Sequence, residues 1–186
     1  MSAIKLSLAQ YEELVKFMSL TESQDIIDND TAEHASILVK ELVKSSKKEI
    51  RLFTTSFCPA FYSRIEIKNE FESAAKRGVS LRIISRQQIN KNDVFDSYTQ
   101  LFKNGIEFHI APNGILDDEQ NQLNNFIIID NLGLRYEQGD LCTPCGETIS
   151  DVKARASFNR PQAADFFIAK FDASFKETPV DGVNGQ

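Results

Sequence analysis

Between residues 49 and 110 the apolar pattern of the chain switches repeatedly between the period of a strand and that of a helix. This alternation restricts the fold more than any other feature of the sequence. Residues 49–55 (EIRLFTT) read as a strand. Ser63-Arg64-Ile65-Glu66 has the form of a capping box opening a helix to Lys76, which Arg77-Gly78 closes. Residues 79–85 (VSLRIIS) form the next strand, 93–103 the next helix with Gly105 as its stop, and 106–110 (IEFHI) a third strand. Strands separated by helix-length crossovers lie parallel, with helices covering the sheet and right-handed connections. Residues 125–130 (NFIIID) are a short continuous apolar run, as in a central strand buried on both faces, and 132–136 return beside it through a turn at Asn131 and Gly133. The expected fold class is α/β, a mixed, mostly parallel sheet flanked by helices on both faces.

Around this unit the sequence divides into three parts. Leu6, Leu8, Tyr11, Leu14, Val15 and Phe17 recur near helical spacing and stop before Thr21, so residues 1–29 read as an N-terminal helical arm. Asp30 or Thr31 is the expected N-cap of a second helix, which carries Ile37, Leu38, Leu42 and Val43 and breaks at Ser45-Ser46-Lys47-Lys48. Residues 30–178 form the α/β domain. Within it, 138–152 is a long loop rich in glycine, proline and small polar groups, and Arg160-Pro161 opens a last helix with a stripe of Phe166, Phe167, Phe171 and Phe175. Residues 179–186 read as a flexible tail. A chain of 186 residues buries about 70% of its unfolded surface, enough for one core without disulfide support. There is no internal repeat, so a two-lobed assembly would need two chains.

The formal charge of -6 disfavours a protein that coats nucleic acid through a general positive field, while leaving room for a local basic groove. No apolar run reaches the roughly 18 residues that span a bilayer, and residues 1–10 lack the pattern of a secretory leader. A cytoplasmic protein is expected, with Cys58, Cys142 and Cys145 as reduced thiols.

The order EIRLFTTSF, AAKRGVSLRIIS, GIEFHI and FIIIDNLGLRY resembles half of a phospholipase D superfamily domain over residues 48–178, including the small residues before RGV at Ala74, Ala75, Arg77, Gly78 and Val79. Active members of that family carry His-x-Lys-x-x-x-x-Asp on the strand that here ends at Asp130. The resemblance puts Leu123 in the place of the histidine that attacks phosphorus and Asn125 in the place of the lysine that steadies the developing oxygen charge. Leucine can do neither, and Asn125 retains only a neutral hydrogen-bonding amide. The family's closing serine and asparagine resemble Ser157 and Asn159, although the long loop separates these from the motif by more than the family pattern does. The resemblance is to degenerate bacterial or phage-type members. Since family sites form between two halves, it implies a homodimer.

Three further groups enter as candidates. His109 stands on the strand before the motif and is the candidate nucleophile of a rearranged site, without a lysine two positions later. Ligands in such folds meet the carboxyl ends of parallel strands, so Ser56, Arg86 and Asn125, with Ser157 and Asn159 from the resemblance, are candidate anion contacts. Cys142-Thr143-Pro144-Cys145 has a C-x-x-C spacing that suits half of a zinc site, which two copies of the chain would complete, a dithiol redox pair, or simply two neighbouring loop thiols. No cofactor is expected. Three functions follow from this reading: a non-catalytic binding or scaffolding module with a protein partner, a phosphodiesterase or nuclease using His109, and a nucleic-acid or nucleotide-binding regulator.

Overall fold

The computed structural model describes residues 6–87, 93–102, 106–138 and 152–177 of the chain. The elements run α1 (Leu8–Leu20), β1 (Ile27–Asn29), α2 (Ala32–Ser45), β2 (Glu49–Thr54), α3 (Pro59–Tyr62), α4 (Ile65–Lys76), β3 (Ser80–Ser85), α5 (Asp93–Leu101), β4 (Ile106–Ile110), β5 (Phe126–Ile129), β6 (Gly133–Glu137), β7 (Ala154–Ser157) and α6 (Pro161–Glu177). The seven strands form one mixed sheet in the order β1-β7-β6-β5-β2-β3-β4. The repeating strand–helix unit makes β2, β3 and β4 parallel, and the other pairings, from β2–β5 outward to β7–β1, are antiparallel.

Alternation along the strands sorts the side chains onto two faces. Ile50, Leu52, Leu81, Ile83, Ile127 and Ile129 face a layer that contains Leu38 and Leu42 of α2, Ile67 and Phe71 of α4, and Tyr98 of α5. Phe53, Ile84, Phe126, Ile128 and Leu134 face the other way, against Ala164, Phe167 and Phe171 of α6. The continuous apolar run of β5 thus contributes to both clusters, as a strand covered on both sides must. The β5–β6 turn lies close under α2: a Cβ on Gly133 would sit 3.1 Å from Leu42 and 3.3 Å from Ile129.

Two arginines of the parallel strands are enclosed between the sheet and α6. Arg51 and Arg82 are paired neighbours on β2 and β3. Glu49 and Asp172 of α6 bridge them: Arg51 lies 2.6 Å from Glu49 and 3.5 Å from Asp172, and Arg82 pairs with Glu49 and lies 3.0 Å from Asp172. Arg82 also lies over the rings of Phe171 and Phe175. The ion cluster fixes α6 across the parallel strands.

Several local expectations are corrected. Ser63 does not cap α4. It closes the short helix α3, which Pro59 opens, and Arg64 occupies the N-cap of α4 without a side-chain hydrogen bond. The helical arm also supplies an edge strand: Ile27–Asn29 pairs with β7, while α1 packs against α2 of its own chain. Thr31 is the cap of α2, accepting the N–H of His34 at 3.2 Å. Cys58, expected as a reduced thiol, is disulfide-bonded. Gly105, Cys142, Cys145, most of the loop at 138–152 and the tail at 179–186 lie outside the described residues.

Candidate functional site

The carboxyl ends of β2 and β3 bring Thr54, Thr55, Ser56, Ser85 and Arg86 together. The ladder continues past both strands, with Arg86 N–H donating to Thr54 O at 3.0 Å and Gln87 N–H to Thr55 O at 2.9 Å. Thr54 donates its hydroxyl to Ser56 O, and Ser85 to Gln87 O, which tightens both exits. Arg86 reaches Thr55 Oγ1 at 2.5 Å and Gln122 Oε1 at 3.0 Å. Its guanidinium carbon lies 6.0 Å from the centre of the Phe53 ring, and its stem passes Gly114, where a Cβ would lie 3.0 Å from Arg86 Cδ. With a φ of +71°, that position also suits glycine for its backbone.

Asn125 enters the same region from the start of β5. Its side-chain oxygen accepts the N–H of Thr55 at 2.7 Å and the Thr55 hydroxyl at 3.1 Å, and its amide nitrogen donates to Glu137 at 3.0 Å. The side chain is 5% exposed. The Asn125 amide is therefore committed inward, tying β2, β5 and β6 together. Leu123, which the resemblance set in the place of the histidine, is 6% exposed in the apolar cluster with Phe53, Ile84, Ile115 and Phe126. There it acts as a packing group.

Behind Asn125 lies a buried polar chain that the sequence reading missed. Arg135 pairs with Glu137 and donates from Nε to Asn29 at 3.0 Å, and Asn29 in turn donates to Val152 O at 2.6 Å. Arg135 is 2% and Glu137 1% exposed. Both stand on β6 at alternate positions, so they share the face that looks toward α2. The spacing of the two charges was visible in the sequence; that their face is an interior one was not.

Asp130, the third motif position, sits at the opposite end of β5. With a φ of +53° its carboxylate accepts the backbone N–H groups of Lys47, Lys48 and Glu49 at 3.0, 2.8 and 3.0 Å. Arg51 donates to its carbonyl at 3.1 Å. Aspartate tolerates that backbone region better than most residues, and here it clamps the entry of β2.

Ser157 and Asn159 are also at that far end. Ser157 pairs with Leu134, next to Gly133 at the start of β6, whereas Tyr136 pairs with Phe126 beside Asn125. The Ser157 hydroxyl and the Asn159 N–H both donate to Ser23 O, anchoring the segment between α1 and β1. The structure thus gathers Ser56, Arg86 and Asn125 at one end and leaves Ser157 and Asn159 at the other.

His109 stands on β4 in the row Phe126–Phe53–Ile84–His109, three strand spacings of about 4.8 Å from β5. Its ring stacks on Phe175 of α6 at 3.6 Å. Burial holds its imidazolium below the usual histidine range, with Glu107 opposing the shift. It lies on the α6 face, whereas Asn125 points to the face of α2. Among the described residues no group of three or more histidines, cysteines, aspartates or glutamates is placed to hold a metal, and no helix is long and apolar enough to cross a membrane.

With this geometry in place, the solved structures give the architecture a class. No family model and no curated protein matches the sequence. Nuc from Salmonella typhimurium, a phospholipase D family member, superposes with a TM-score of 0.59 at 21% identity, over 83% of this chain and 95% of that one. NucT from Helicobacter pylori does so at 0.56 and 13%, over 83% and 98%. TrmBL2, an archaeal chromatin protein, gives 0.57 and 15% over 90% of this chain and 59% of its own. The chain has a phospholipase D-like fold.

Proposed function

We propose that the chain is a non-catalytic binding or scaffolding module built on the phospholipase D-like fold and working as a homodimer. One observation carries this reading. The two positions where active members hold an attacking imidazole and an ammonium are occupied by a leucine packed among phenylalanines and isoleucines and by an amide bonded to Thr55 and Glu137. Neither offers a nucleophile or a cation to a phosphodiester. A rearranged site using His109 receives no support from the geometry, because that ring is stacked on Phe175 and stands on the other face of the sheet from Asn125.

The likeness to TrmBL2, an archaeal chromatin protein with its own mode of DNA binding, gives the nucleic-acid reading a specific ground, with the half-buried Arg86 and Ser56 as its contacts. The charge of -6 weighs against it. The homodimer rests on the half-domain character of the chain. Sedimentation equilibrium at micromolar concentration is expected to give the mass of two 21.0 kDa chains; monomer alone would overturn the assembly. Binding of a single-stranded oligonucleotide that weakens steeply with salt would replace the scaffolding reading by the regulator.

A further inference from the structure

Arg135 Nη2 is buried and has no hydrogen-bond partner among the described residues, although Nε and Nη1 of the same guanidinium are bonded to Asn29 and Glu137. A dry interior does not leave a charged donor in that condition, since an unmet buried donor costs about 1–3 kcal/mol and a charged one more. Against Arg135 lies a small cavity of about 10 Å³, lined on one side by Thr54, Tyr62, Asn125 and Glu137 and on the other by apolar side chains of α2, β2 and β5. That is at the edge of what one water molecule needs, and polar lining is the condition under which such a space is filled.

We propose that this cavity is a binding site for a single structural water, held by Arg135 Nη2 and completing the polar chain from Asn29 to Thr55. The size excludes a phosphate, a nucleotide or any organic group. The charge balance excludes a free ion: the Arg135 cation is already matched by Glu137 beside it, so the guest is neutral. Tyr62 supplies a further partner. Burial, reinforced by the Glu137 carboxylate, pushes its hydroxyl well above the usual range, so it remains a neutral O–H on a residue that lines the same cavity. A water placed there accepts from Arg135 and exchanges hydrogen bonds with Tyr62 and Glu137, in keeping with the roughly three bonds that buried waters make. The site follows from the interior of the sheet and holds whether or not the chain has any activity.

A crystal structure of the full chain at a resolution that shows ordered solvent tests this. The expected result is one density peak about 2.7–3.2 Å from Arg135 Nη2, inside the cavity. In solution, the same water is expected to transfer magnetisation to the Arg135 guanidinium protons with the sign of a long-lived complex. An empty cavity, a protein group occupying Nη2, or an anomalous peak at this position after a bromide soak would each overturn the proposal.

Discussion

Asn125 and Thr55 are joined twice, the asparagine oxygen accepting both the backbone N–H of Thr55 at 2.7 Å and its hydroxyl at 3.1 Å. This pair is where the exit of β2, the parallel strand that borders β5, is tied to the antiparallel half of the sheet. The Asn125 amide thus serves the fold, holding three strands together.

Asn125→Ala removes the acceptor from Thr55 and the donor from Glu137 while both remain largely enclosed. A loss of about 1–3 kcal/mol is expected in urea denaturation, with the slope of the transition unchanged. Tolerance of the alanine without loss would mean that the two partners find water.

Arg135 and Glu137 form a buried pair whose members should fail singly and recover together. Arg135→Met leaves a carboxylate enclosed without its cation and is expected to cost about 3–5 kcal/mol. Adding Glu137→Leu should return much of that loss, giving a large coupling in a double-mutant cycle. Additive losses would contradict the pairing.

His109 gives a pH dependence of definite sign. Burial depresses its folded-state basicity, so the unfolded chain binds the proton more readily. Its contribution is fully present above the unfolded value of about 6.5, begins to fall as the pH drops below it, and is gone below the lowered folded value. His109→Phe, which keeps a ring against Phe175, is expected to flatten that part of a melting-temperature profile. An unchanged acid slope would assign it to other groups.

The disulfide at Cys58 predicts a thiol count. Two of the three cysteines in a bridge leave one, so titration of the unreduced, denatured chain should find one thiol, and three after reduction. Cys58→Ser should lower stability by about 2–4 kcal/mol, as for removal of a native cross-link. Three thiols before reduction would exclude the bridge.

What the sequence disclosed depended on whether its signal was local. The strand–helix repeat from β2 to β4, the fully apolar β5 and the phenylalanine stripe of α6 all follow from periodicity within one element. Leu123 and Asn125 were singled out by counting back from Asp130 through β5, which uses local sequence alone. β1 and β7 escaped notice because they have only three and four residues, and they pair across more than 120 positions of sequence. The Ser63 capping box was a correct pattern in the wrong place, since Pro59 starts a short helix that uses Ser63 as its end. The inward direction of Arg135 and Glu137 is set by which face α2 covers, a tertiary fact. The same holds for Ser157 and Asn159: the resemblance carried them to the site, and the register of β6 with β7 puts them at the far end of the sheet.

The most direct measurement is turnover of single-stranded DNA and of a chromogenic phosphodiester by the purified full chain, beside its His109→Ala variant. The account predicts rates indistinguishable from buffer for both. Hydrolysis by the wild type that the alanine variant abolishes would contradict it, and would return His109 to the role of nucleophile.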